Sequence, residues 1–170
     1  MTRAQRFHLT DGAITPRAPA AQAATGDRFL VLLEGSQTER RYLDDLCGKL
    51  NLTAENVVID SPDSDPLRLV QEAIIRREIR RKEAAKKITV EYNQIWVVCD
   101  RERQHHHRFA RLQEACWLAR EEGVHVALSI PTFEFWLLLH RRKHSAIIPD
   151  CPEAEALLSQ VQGRFARSGG

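Results

Sequence analysis

The sequence lacks long hydrophobic segments. No run of apolar residues approaches the roughly 20 that a membrane-spanning helix needs, and the first 26 residues contain no continuous apolar segment of the kind found in secretory signals. We therefore expect no membrane association and a cytoplasmic location. The four cysteines, at positions 47, 99, 116 and 151, are widely scattered and form no CxxC pair, which argues against a structural zinc site and against a disulfide scaffold.

Phosphate-binding fingerprints and an excess of charge are also missing. The chain contains neither GxxxxGK[ST] nor GxGxxG, so nothing supports a P-loop or a dinucleotide-binding motif. Its formal net charge is +2, from 25 basic and 23 acidic residues, which is too small to identify a partner. A phosphoryl-transfer or nucleotide-binding enzyme of another kind stays open as an alternative.

Apolar runs alternate with amphipathic segments after residue 26. The length of 170 residues suits one domain, so we predict a flexible tail over 1–26 and a domain over 27–170. The runs at 28–33, 57–59, 95–99 and 124–128 predict strands. Helices are predicted from about 38 to 50, 67 to 87, after Asp100 to Gly123, 133 to 140 and 152 to 166. The expected inward residues are Leu67, Val70, Ile74 and Ile79 on the second helix and Phe109, Leu112, Cys116 and Ala119 on the third.

This alternation predicts an α/β fold. The expected architecture is a mainly parallel sheet of about four strands with helices on both faces. Functional sites in such folds collect beyond the carboxyl ends of the strands. Polar residues follow three of the predicted strands, namely Glu34-Gly35, Asp100-Arg101-Glu102, and Ser129 leading to Glu134.

Three carboxylates at these strand ends are the candidate catalytic and metal-binding residues. Glu34 can ligate a hard cation or act as a general acid or base; alternatively it accepts hydrogen bonds from the next helix. Asp100 and Glu102 are spaced so that both can face one ion; alternatively Asp100 caps a helix and Glu102 is solvated. Oxygen ligands of this kind favour Mg²⁺ or Mn²⁺ over zinc.

Two other polar patterns have competing interpretations. The run His105-His106-His107 is an unfavourable metal site, because adjacent helical residues point in different directions, so a solvated helix start or a phosphate contact is favoured. The basic residues predicted to follow a nucleic-acid backbone are Arg76, Arg77, Arg80, Arg81, Arg141, Arg142 and Lys143. The alternative for the first four is a solvated helix face, since Glu78 to Lys82 and Glu83 to Lys87 have stabilising i,i+4 spacing.

Three motifs of the sequence resemble those of the RloB-like family. The first is Phe29-Leu30-Val31-Leu32-Leu33-Glu34-Gly35-x-x-Thr38-Glu39-x-x-Tyr42, and the second is a strand that ends in Asp100-Arg101-Glu102. The most specific is Ser129-Ile130-Pro131-Thr132-Phe133-Glu134-Phe135-Trp136-Leu137-Leu138-Leu139-His140, which resembles the family signature Ser-Asn-Pro-x-Phe-Glu-x-Trp-Leu-Leu-Leu-His. The resemblance covers about residues 28 to 145.

The resemblance implies a Toprim-like domain, the metal-binding α/β unit of topoisomerases, primases and the overcoming-lysogenization-defect nucleases. It implies that Glu34, Asp100 and Glu102 surround Mg²⁺. The other polar residues of the motifs are candidates for support of the site: Gly35, Glu39, Ser129, Glu134 and His140. Glu134 is either a further ligand or an acid that suits a helix N-terminus, and His140 is expected to be structural.

The family's genes are associated with restriction-modification and phage-defence loci. The expected function is therefore a Mg²⁺- or Mn²⁺-dependent nuclease of antiphage defence, acting on DNA or RNA. Two departures weaken this expectation, because Ile130 replaces the usual Asn and Glu102 replaces the usual Asp. The alternative is a non-catalytic sensor or adaptor that works with a partner defence protein such as an ATPase.

Overall fold

The structure, a computed structural model, describes residues 7–10, 13–16, 26–62, 65–101, 106–141, 143–144 and 146–162, with the backbone alone at 7–10, 13–16, 106–108 and 162. Its strands are β1 (Phe7–Thr10), β2 (Ala13–Pro16), β3 (Phe29–Leu33), β4 (Val57–Asp60), β5 (Gln94–Asp100) and β6 (His125–Ser129). Its helices are α1 (Thr38–Lys49), α2 (Pro66–Ala85), α3 (His106–Glu122), α4 (Phe133–Arg141) and α5 (Cys151–Gln162).

Four of the strands form one parallel sheet in the order β4-β3-β5-β6. The central strand β3 pairs with both β4 and β5, so that Leu30 lies opposite Val58 on one side and Ile95 on the other. At the far end of the sheet, Asp100 of β5 is level with Ser129 of β6. The predicted α/β fold with a parallel sheet of four strands is confirmed.

The helices cover both faces of this sheet. The chain moves from β3 to β4 in one direction and from β4 through β5 to β6 in the other, so right-handed crossovers place α1 opposite α2 and α3. The main core lies under α2 and α3, where apolar strand residues such as Leu32 and Val97 are fully buried beside Val70 and Ala115. A second cluster, built from Leu138, Ile148, Ala154 and Leu158, joins α4 to α5.

Three residues predicted to face the core are exposed instead. Ile79 is 51% exposed, because it lies nine residues (about 2.5 turns) after the buried Val70 and therefore on the opposite face of α2. Phe109 is 41% exposed near the start of α3, and Cys116 is also exposed. The inner face of α3 is made by Leu112, Ala115 and Ala119, whose two alanines allow close packing against α2.

The ends of the chain differ from the sequence-based assignment. Strands β1 and β2 form an antiparallel pair with Thr10 opposite Ala13, whereas no strand was predicted before residue 28. The flexibility predicted for residues 1–26 stays a prediction. Helix α5 ends at Gln162, and the rest of the predicted helix to 166 lies outside the described residues. No helix in the described ranges is long and apolar enough to cross a membrane.

Candidate functional site

The site lies where the strand order of the sheet reverses. The chain leaves β3 toward one edge of the sheet and later passes through β5 toward the other, which opens a crevice at the carboxyl ends of these two strands. Glu34 follows β3 directly, and its backbone N–H donates to the Val98 carbonyl at 3.0 Å. Its carboxylate Oε2 accepts a hydrogen bond of 3.0 Å from the Asp100 backbone N–H. The structure therefore brings Glu34 and Asp100 together.

Asp100 is the most strongly perturbed acid of the site. Burial, which disfavours the charged form, is the largest cause that raises its pKa to about 7, and the nearby carboxylates of Glu39, Glu134 and Glu34 add to it. A hydrogen bond with the Phe133 backbone acts in the opposite direction. The Asp100 Oδ1 atom is buried and has no hydrogen-bond partner among the described residues. A buried carboxylate oxygen in this situation is available for a proton or a cation.

Glu39 approaches the same point from the first turn of α1. Its residue exposure is only 8%, and burial together with Glu134 and Glu34 raises its pKa. The carboxylate lies against the backbone of Gly35, where an added Cβ would overlap it. A side chain at position 35 would therefore force the Glu39 carboxylate to move. Gly35 and Glu39 were predicted only to support the site.

Glu134 completes what we call the carboxylate cluster: Glu34, Glu39, Asp100 and Glu134. It lies in the first turn of α4, which follows β6 after a short connection containing the cis peptide Ile130–Pro131. Its charge acts on both Asp100 and Glu39. Ser129, the last residue of β6, accepts a hydrogen bond of 2.8 Å from the Arg101 backbone N–H through its carbonyl, so this strand end is fixed beside that of β5.

The donor chemistry of the cluster fits a hard divalent cation in part. Its side chains offer oxygen atoms only, and Asp100 supplies a buried oxygen with no hydrogen-bond partner in the described part of the chain. Among the described residues, however, no three His, Cys, Asp or Glu side chains are arranged so that they could hold a metal ion. Glu102, the third ligand predicted from sequence, lies outside the described residues.

The match to a protein family covers most of the chain. Residues 29–165 match the model of the family described as RloB-like protein. The chain belongs to the RloB-like family. No curated protein and no solved structure matches it at a significant level.

Three aromatic residues of the RloB-like motifs pack together behind the cluster. The Tyr42 hydroxyl lies 3.4 Å from His140 Nε2, and the two rings are stacked with centroids 5.8 Å apart. The Trp136 ring meets His140 edge to face at 4.4 Å. Burial and the neighbouring Arg141 lower the His140 pKa, which favours a neutral imidazole. This packing fits the structural role expected for His140.

Each arginine of α2 that was a candidate for nucleic-acid binding has a partner within the chain. Arg76 pairs with Asp60 at 2.6 Å and Arg77 with Glu122 at 2.6 Å. Arg80 donates to the Val90 carbonyl at 2.7 Å, and Arg81 lies 3.3 Å from a Glu78 carboxylate oxygen. These contacts favour the structural interpretation of α2. Arg141 and Lys143 are exposed near the end of α4, whereas Arg142 lies outside the described residues.

The histidine run is only partly described. Helix α3 begins at His106, while His105 and the side chains of His106 and His107 lie outside the described residues. The choice between a solvated helix start and a phosphate contact therefore stays a prediction.

One strand-end acid was missed by the sequence analysis. Asp60 ends β4, so the carboxyl ends of all four parallel strands carry polar residues. Its carboxylate accepts from Arg76 and from the Ser61 backbone N–H, and the hydrogen bond with Arg76 is the main cause that lowers its pKa. Asp60 does not contribute to the shift at Asp100. We interpret it as an ionised structural acid beside the site.

Proposed function

We propose that this RloB-like protein is a divalent-metal-dependent phosphodiesterase that hydrolyses nucleic acid. The observation that carries the proposal is the convergence of Glu34 and Asp100 from two neighbouring strands, with the Oδ1 atom of Asp100 buried and the pKa of Asp100 raised to about 7. Perturbed acids in a crevice at a strand-order reversal are typical of functional sites. A carboxylate arrangement that serves only stability would be expected to place a cation beside the buried acid, as Arg76 does for Asp60.

Asp100, Glu34 and Glu102 are the residues that would hold Mg²⁺ or Mn²⁺. A bound divalent cation polarises a phosphoryl oxygen and lowers the pKa of bound water. The Glu34 carboxylate is held toward β5 by the hydrogen bond from the Asp100 backbone. Glu39 and Glu134 add negative charge around this point, which strengthens the attraction for a cation and opposes ionisation in its absence.

The reaction proposed is the addition of water to phosphorus with cleavage of one P–O bond. One proton leaves the water, and one proton is taken up by the leaving oxygen. A carboxylate of the cluster that does not hold the cation is suited to accept the first of these protons, because burial raises the pKa of Glu39 and makes it a stronger base than an exposed carboxylate. The half-buried Glu134 lies within electrostatic reach of the same point.

A role in antiphage defence is proposed from family membership. The genes of RloB-like proteins are associated with restriction-modification and phage-defence loci. An ATPase or another defence protein is a proposed partner, because a domain of this size has only a small surface with which to bind a polynucleotide.

The test measures both cation binding and cleavage. Purified protein is incubated with labelled DNA, RNA and tRNA in Mg²⁺, in Mn²⁺ and in EDTA, and cation binding is followed by calorimetry. We expect cleavage only with the cation, and we expect Asp100→Ala to abolish both cleavage and binding. The matched control is Asp60→Asn, at the end of β4 on the other side of β3, which should retain both. Absence of cation binding by the wild-type protein would rule out the proposal.

A non-catalytic adaptor is the second candidate, and one feature favours it. Ile130, at the position where the RloB-like signature usually has Asn, exposes 41% of its surface directly after the end of β6. An exposed apolar residue beside the carboxylates suits a protein contact better than a phosphate contact. Protection in a phage challenge that Asp100→Ala leaves unchanged would favour the adaptor, whereas loss of protection would favour the enzyme.

A further inference from the structure

Arg101 stands out among the basic residues because of its place in the fold. It follows Asp100 at the carboxyl end of β5, and its backbone N–H is fixed to the Ser129 carbonyl at 2.8 Å. Successive residues of an extended backbone point to opposite sides. Asp100 therefore faces the carboxylate cluster, while the side chain of Arg101 lies on the α3 side of the same strand end.

The guanidinium of Arg101 is exposed and held by an aromatic ring. Its Cζ atom lies 4.9 Å from the centroid of the Phe109 ring, and Phe109 is 41% exposed. No ion pair joins Arg101 to an acid within the described ranges. Arg111, two residues after Phe109 in α3, differs, because it lies 3.2 Å from the Asp65 carboxylate. A ring under a guanidinium restrains the long side chain and leaves its N–H donors available.

A nucleic acid that binds at the carboxylate cluster needs a positively charged side chain nearby. Four carboxylates at one crevice repel the phosphates of a nucleic acid, and the arginines of α2 are engaged with Asp60, Glu122 and other groups of the chain. Arg101 supplies a planar, permanently charged donor one residue away from Asp100. Such a group can bind phosphate oxygens in a bidentate manner.

We propose that Arg101 binds a backbone phosphate of the nucleic acid, next to the phosphate that reacts at the cluster, and that Phe109 positions Arg101 for this contact. The inference rests on the proposed function, because it names the residue that recognises the substrate of that site. It assigns to the Arg101–Phe109 pair the role that the sequence had suggested for the arginines of α2.

The test measures binding without cleavage. Fluorescence anisotropy of a labelled single-stranded oligonucleotide is recorded in EDTA over a series of salt concentrations. We expect Arg101→Gln to weaken binding about tenfold at low salt and to reduce the slope of log K against log salt by about 0.7, the value for one lost phosphate contact to a single strand. Arg120→Gln is the matched control, since it removes the same charge from an exposed position near the opposite end of α3.

A second variant separates the positioning role of Phe109 from the phosphate contact of Arg101. Phe109→Leu keeps an apolar side chain but removes the ring, so we expect a smaller loss of affinity, and no additional loss when it is combined with Arg101→Gln. Polyglutamate serves as a competitor that carries charge without phosphate, and the Arg101→Gln variant should lose less affinity for it than for the oligonucleotide. An equal loss for both would overturn the assignment of a phosphate contact.

The outcomes also distinguish this inference from the proposed function. If the wild-type protein binds the oligonucleotide and Arg101→Gln binds it equally well with the same salt slope, the role of Arg101 is wrong while the nuclease proposal stands. If the wild-type protein binds no oligonucleotide at any salt concentration, the role of Arg101 is wrong, whereas the nuclease proposal is decided by the cleavage and calorimetry experiment with the cation present. If Arg120→Gln weakens binding as much as Arg101→Gln, the effect is one of net charge and the inference is overturned.

Discussion

The Asp100 backbone N–H donates a hydrogen bond of 3.0 Å to Glu34 Oε2, although the two residues are 66 positions apart in the sequence. This bond joins the carboxyl ends of two adjacent strands through a side chain. It also holds one carboxylate beside another, so the local geometry favours the neutral form of Asp100 or the presence of a cation.

The stability of the metal-free protein should depend on pH through Asp100. Its pKa is raised from 3.8 to about 7 in the folded state, so the folded protein keeps a proton that the unfolded chain releases. The stabilisation is complete below pH 3.8 and is lost as the pH rises to about 7. Asp100→Asn should remove this loss and stabilise the protein at pH 8 by up to about 4 kcal/mol.

Urea denaturation in EDTA between pH 5 and 8 checks the pH dependence. The exposed Asp45→Asn variant is the control and should follow the wild-type curve. A wild-type stability that stays constant over this pH range, or one that rises, would contradict the raised pKa of Asp100 in the folded protein.

Gly35→Ala should displace the Glu39 carboxylate. The added Cβ would overlap the Glu39 carboxylate oxygens, so either the side chain or the loop must shift, and we expect a loss of about 1 to 3 kcal/mol in unfolding free energy together with loss of cation binding. Gly48→Ala is the matched control, because its Cβ would meet open space in α1 and alanine favours a helix by up to about 1 kcal/mol. Equal effects of the two substitutions on thermal unfolding would be inconsistent with this contact.

Arg77 should matter for stability rather than for binding nucleic acid. It joins α2 to Glu122 at the end of α3 through the side chain and the backbone carbonyl, and its side chain is 23% exposed. After allowance for solvent screening, Arg77→Gln should cost about 1 kcal/mol, while the exposed Lys82→Gln should cost little. In the anisotropy experiment, Arg77→Gln should keep the wild-type salt slope. A reduced slope would indicate that Arg77 of α2 contacts the nucleic acid after all.

Tyr42→Phe should destabilise the packing behind the carboxylate cluster. It removes the hydroxyl that lies 3.4 Å from His140 Nε2 and leaves the buried imidazole without that contact. We expect a loss of roughly 1 kcal/mol, or about 3 °C in Tm. Tyr92→Phe is the control, because the Tyr92 ring contacts Arg80 and phenylalanine retains this ring. A Tm of the Tyr42 variant at or above that of the wild type would refute the contact.

The sequence was sufficient to predict the parallel sheet and the proximity of Glu34 to Asp100. Both follow from the local pattern of apolar residues and from the topology of a parallel sheet. Buried parallel strands have apolar runs that end sharply, and their carboxyl ends lie at one edge. The burial of Glu39 could not be predicted in this way. An acid in the first turn of a helix usually faces solvent, and only the glycine four residues earlier indicated a close approach to the backbone.

The inward face of a helix and the partners of charged side chains were harder to predict than the helices and strands themselves. The face of α3 depends on how closely it packs against α2, which favours Ala115 over Cys116. The partners that the α2 arginines have outside the helix come from β4, α3 and the segment before β5, and these could not be read from helical spacing. Glu72 and Glu78 lie within α2, four and three residues before Arg76 and Arg81, at spacings that the sequence does show. The pair β1–β2 has a local signal in the sequence, since Asp11-Gly12, a dipeptide typical of hairpin turns, separates its two strands.

The order of strands in the sheet has a consequence for biosynthesis. The strand at the centre, β3, emerges from the ribosome before each of its neighbours, and the partner that anchors Glu34 is made 66 residues later. Glu134 follows later still. A growing chain therefore acquires these acidic residues one at a time, and the carboxylate cluster can form only after β3, β5 and the start of α4 have all been made.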